Sequence, residues 1–156
     1  MNLKNPIAKK ILQALAIAVF GFILLNLTFL FNFLVVKLIG LFVSDEFIST
    51  HQWQWFPMIR HAVFLIIICL ISWPVFRSKL GMLYKAIYMT VPLAVIFVTI
   101  GIFLYQWHIV PYLVGGLFAI GFLFYLYRTE QPWLYYYTVV LVALSLMIFT
   151  LLGGEI

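Results

Sequence analysis

Very few residues in this chain could do chemistry, and those few stand out. Among 156 residues, four are acidic, nine basic and three are histidine. Asn26, Thr28 and Asn32, with Lys37 beyond them, interrupt the first long apolar run. A polar side chain in hydrocarbon is costly unless it finds a partner, so such residues either bond to neighbouring helices or line a polar path. Proton-coupled paths usually rest on an intramembrane Asp, Glu or His. No acidic residue falls in the middle of an apolar run here. Bonding between helices is therefore the expected use of Asn26 and Asn32. The polar path through Asn26, Thr28, Asn32 and Lys37 is the sharper alternative.

A second group, Asp45, Glu46, His51, Arg60 and His61, gathers around the longest polar stretch, SDEFISTHQWQWFP. Carboxylates and imidazoles together could act on a lipid headgroup or hold a metal. No histidine pair has the i, i+4 spacing of a helical metal site, so no metal is expected. Arg60 is better placed to pair with Asp45 or Glu46 and pin the loop, since a charge at the end of a span is normally an interfacial anchor. Ser72 and Ser145 have no base nearby in sequence, and the chain has no glycine-rich phosphate loop. No catalytic residue and no cofactor are expected. The lone Cys69 excludes an internal disulfide and, inside an apolar run, is read as a small buried hydrophobe.

Composition decides which elements carry these residues. The chain is 67% hydrophobic and 8% charged, against about 45–50% and 25% for soluble domains. Ile11 to Val43 holds no charge before Lys37. That run is far longer than the apolar core of a signal peptide, about 7–15 residues, so it is read as a retained span on which the others pack. The whole chain, 1–156, reads as a single transmembrane domain, an all-α polytopic bundle. Five spans are expected, near 8–43, 58–76, 84–105, 109–127 and 133–152. The first, as one helix, would exceed a hydrocarbon core of about 30 Å. It must tilt, project or break, and Asn32 marks the candidate break.

Charge tests this partition. With the N-terminus in the cytoplasm, Lys4, Lys9, Lys10, Arg77, Lys79, Lys85 and Arg128 fall on the cytoplasmic side, leaving Lys37 and Arg60 on the other. Basic residues gather on the inner side of short loops, so the expectation is N-terminus in and C-terminus out, in the cell (plasma or inner) membrane. The formal net charge of +5 sits at span ends and forms no stripe, which argues against nucleic acid as a partner. Trp53, Trp55, Trp107 and the run Tyr135-Tyr136-Tyr137 read as interfacial belts.

Small residues suggest packing seams: Ala14, Ala18, Gly21, Thr28 and Asn32 close to one stripe of the first span, Thr90, Ala94 and Gly101 on the third, and Gly115-x-x-x-Ala119 on the fourth, with Gly116 and Gly121 beside it. Such seams let helices approach closely in lipid. The expected function is that of a non-catalytic accessory or scaffold subunit, packing against other membrane proteins or a second copy within the bilayer. A small oligomeric transporter or pore and a lipid-acting enzyme at the outer face are the alternatives.

Overall fold

The structure is a computed structural model and describes residues 6–42, 56–107 and 109–151. These residues form five α-helices: α1 (Pro6–Phe42), α2 (Phe56–Arg77), α3 (Met82–Leu104), α4 (Val110–Arg128) and α5 (Trp133–Leu151). All five are long and apolar enough to cross a membrane. Proline opens α1 at Pro6 and occupies the first turn of α4 at Pro111, where no intrahelical N–H bond is lost. Pro74 and Pro92 lie inside α2 and α3 without ending them.

The first helix runs unbroken for 37 residues, about 55 Å at 1.5 Å per residue. Asn26 and Thr28 do not interrupt it because each bonds back onto its own helix. Asn26 Nδ2 donates to the Phe22 carbonyl at 2.8 Å, and Thr28 Oγ1 donates to the Leu24 carbonyl at 2.8 Å.

The bundle is organised around α3, not around the long first helix. α1, α2, α4 and α5 all pack on α3, whereas α1 and α2 touch each other little. The burial pattern agrees. Ala86, Ile87, Met89, Thr90, Val91, Leu93, Ala94 and Val95 of α3 are all buried, whereas α1 buries only Ile17, Gly21 and Val35 among its described side chains. Two cores lie against α3. One joins Ile17, Leu93, Leu126 and Val139; the other joins Val35, Phe64, Ile68 and Val95. A helix that is apolar all round carries no directional signal of which side faces protein, so α1 looked central in sequence without being so. Cys69 is corrected for the same reason: its thiol is exposed on α2.

Hydroxyls tie the helices to α3. Thr138, fully buried on α5, donates to its own Leu134 carbonyl at 2.9 Å and lies 3.2 Å from the Ala86 carbonyl of α3. Ser72 of α2 donates to Ile68 O at 2.7 Å and meets Tyr88 Oη at 3.1 Å. Between α4 and α5 the chain turns at Glu130, whose φ of 50° is left-handed. Glu130 N donates to Tyr127 O at 3.1 Å and Gln131 N to Leu126 O at 3.0 Å, the paired bonds that close a helix when its next residue adopts that conformation. Pro132 follows and prevents the helix from continuing.

Candidate functional site

A cleft of about 900 Å³ lies between α1 and α5, backed by α3 and bordered by His61 and Phe64 of α2. Its walls are mostly apolar, from Ile17, Ala18, Leu141 and Val142 among others. Along α1 it extends from Ile17 to Asn32, about 22 Å at 1.5 Å per residue.

Gly21 explains how α1 sits here. A Cβ built on Gly21 would lie 2.8 Å from Thr90 Cγ2 and 3.2 Å from Thr90 Oγ1, so the two helices approach at a position without a side chain. Thr90 is held in place because its Oγ1 donates to the Ile87 carbonyl at 2.8 Å. α1 is thus fixed to α3 along this line, and the gap to α5 stays open beside it.

Polar groups enter the cleft from three helices besides α3. Asn26, Thr28 and Asn32 of α1, His61 of α2 and Ser145 of α5 all line it. Three of the four residues read as a polar path therefore share one cavity. Lys37 is not in it. Its Nζ lies 5.5 Å from the centroid of the Phe33 ring, on an exposed part of α1.

The outer-face group separates differently. Asp45, Glu46 and His51 lie outside the described residues, so their pairing with Arg60 does too. His61 joins the wall of the cleft, its ring 6.0 Å from that of Phe64, which in turn lies 6.1 Å from Phe31. The His61 Nε2 atom is buried and has no hydrogen-bond partner among the described residues. An unpartnered nitrogen in an apolar interior is costly. Among the described residues, no group of three His, Cys, Asp or Glu side chains could hold a metal.

The packing glycines also divide. Gly21 makes a close approach, whereas a Cβ on Gly115 would meet Phe97 at an ordinary 3.6 Å, and Gly116 and Gly121 face open space. Ala119 is half-buried. The α3–α4 seam is aromatic instead: Phe97 meets Phe118 edge-on at 5.5 Å, and Phe118 stacks near Phe122 at 6.0 Å.

Sequence reasoning did not place Ser145 or His61 in this site. Ser145 is a lone hydroxyl in an apolar run, and His61 was read at the interface from its nearness to a span end. Only the side of α2 that faces α3 decides its position, and residue spacing does not give that side.

Among the described residues the architecture is an all-helical bundle of five helices, each long and apolar enough to cross a membrane. No protein family, curated protein or solved structure matches the chain.

Proposed function

We propose that this chain is a non-catalytic accessory or scaffold subunit of the cell membrane, and that it seats a transmembrane helix of another membrane protein, or of a second copy, in the cleft between α1 and α5. The observation that carries this reading is the cleft itself. Its 900 Å³ is about the room taken by two turns of a helix about 10 Å across. Its walls include Ala18, Gly21, Asn26, Thr28 and Ser145, small and hydrogen-bonding residues of the kind that hold helices together where the hydrophobic effect cannot.

The orientation belongs to the same proposal, with the N-terminus in the cytoplasm and the C-terminus outside. Arg77, Lys79 and Lys85 border the α2–α3 turn and Arg128 the α4–α5 turn, and the positive-inside tendency draws both turns to the cytoplasm. Reporter tags on the two termini test it. Opposite compartments are expected, and a shared compartment would overturn the crossing number.

The seating itself is tested with a photo-crosslinking residue at Ser145 or Asn26 in native membranes. A protein adduct is expected at both positions, and none at Leu113, which is exposed on α4. Adducts to lipid alone at Ser145 and Asn26 would remove the proposal.

A second reading, a polar path in an oligomer, is favoured by one observation: His61 joins Asn26, Thr28 and Asn32 on the same cavity wall. Reconstituted vesicles whose ion or solute flux is unchanged by Asn32→Leu and His61→Leu together would exclude it.

A further inference from the structure

A second, smaller hollow lies on the other side of the bundle and is independent of what occupies the α1–α5 cleft. It measures about 490 Å³ and runs over α3 between α2 and α4, with Tyr135 and Gln131 near the start of α5 at one end. From Lys85 to Ile96 on α3 the groove is about 16 Å long at 1.5 Å per residue. That is close to the depth of one leaflet, half of a core about 30 Å thick.

Its polarity is graded along that length. Lys85 and Gln131 stand at the end nearest the turns, whereas Pro92, Leu93, Ile96 and Phe122 line the remainder. The Lys85 ammonium is held there by a 2.7 Å bond to the Phe76 carbonyl in the last turn of α2. An ammonium has three donors, so this bond fixes its position and leaves others for an anion. The same end of the fold carries Lys79 and Arg128 at the neighbouring turns, with Glu130 the one carboxylate beside them among the described residues, so its charge stays positive. Arg77 is drawn aside, its guanidinium 4.3 Å over the Trp73 ring. A cation at the membrane surface above a leaflet-deep apolar groove matches an anionic phospholipid: phosphate on the ammonium, acyl chain along α3.

We infer that the groove between α2 and α4 is a binding site for an anionic phospholipid of the leaflet that borders the basic turns, with Lys85 holding the phosphate and Ile96 marking the deep end of the chain. Basic pockets between transmembrane helices are known to take such headgroups.

Native mass spectrometry of the full-length protein with added phosphatidylglycerol or phosphatidylcholine tests this. Wild type should retain phosphatidylglycerol about fivefold better than phosphatidylcholine, as one well-placed cation near the surface provides. Lys85→Gln should abolish that preference, Lys85→Arg should keep it, and Lys37→Gln should leave it unchanged. Ile96→Trp, which fills the deep end without touching the charge, should lower retention of both lipids and keeps the test decisive if Lys85→Gln does not fold. Excess inorganic phosphate should not displace the lipid. Undiminished phosphatidylglycerol retention in both Lys85→Gln and Ile96→Trp, an equal loss in Lys37→Gln, or displacement by inorganic phosphate would each overturn the assignment.

Discussion

Gly21 and Thr90 face each other across the α1–α3 contact with no room for a methyl group between them. This one approach fixes where the longest helix lies on the central one. Gly21→Ala should therefore destabilise the bundle by about 1–3 kcal/mol, the usual cost of overpacking. Thr90 is β-branched and bonded through Oγ1, so it cannot swing aside. Thr90→Ser removes the Cγ2 atom that clashes and should restore much of the loss. Reversible unfolding in mixed micelles measures both, and a Gly21→Ala variant as stable as wild type would contradict the close approach.

Gly115 is the contrasting case. A methyl there meets Phe97 at ordinary contact distance, and alanine favours a helix over glycine by up to about 1 kcal/mol. Gly115→Ala should be neutral or slightly stabilising in the same assay. A large loss would mean that α4 packs more tightly than its aromatic seam indicates.

Thr138 is wholly buried, and its hydroxyl serves both its own helix and the Ala86 carbonyl. Thr138→Val keeps the shape and removes the bond. Hydrogen bonds between membrane helices average about 0.6 kcal/mol, and the loss should be of that order. Thr138→Ala should cost more, because it also opens a cavity.

Glu130 holds a left-handed conformation that glycine adopts without strain. Glu130→Gly should stabilise the α4–α5 turn by about 1 kcal/mol, the order of the strain an L-residue carries there. A raised unfolding midpoint checks this, and an unchanged or lowered one would contradict it.

His61→Leu tests the unpartnered nitrogen. Leucine removes the partnerless Nε2 but also the hydrogen bond that the ring makes with the Val95 backbone, and the two changes offset each other to within about 1 kcal/mol. The isolated protein should therefore hold its stability, while protein crosslinks from Ser145 weaken if the occupant of the cleft uses the imidazole.

Five apolar runs, bounded by Arg77, Lys85, Arg128 and the prolines, were legible as five helices, and their ends fall within a few residues of α1 to α5. The hydrogen bonds of Asn26 and Thr28 were not legible, because a side chain that folds back on its own carbonyl gives the same sequence pattern as one that reaches across. Which helix is central was also hidden. Ala14, Ala18, Gly21, Thr28 and Asn32 suggested a packed stripe on α1, yet only Gly21 of these is buried. In an all-apolar helix the contacts that choose a face come from shape, as Gly21 against Thr90 illustrates, and shape has no periodic signature in residue type.

The central place of α3 bears on how the chain is made. In chain order α1 and α2 are made before α3, the helix on which both of them rest. The two early helices share little surface with each other. Without the third segment only a narrow contact, Phe31 against Phe64 and Val35 near Ile68, would link the two, so a chain arrested before Met82 would lack most of the surface that holds its halves together.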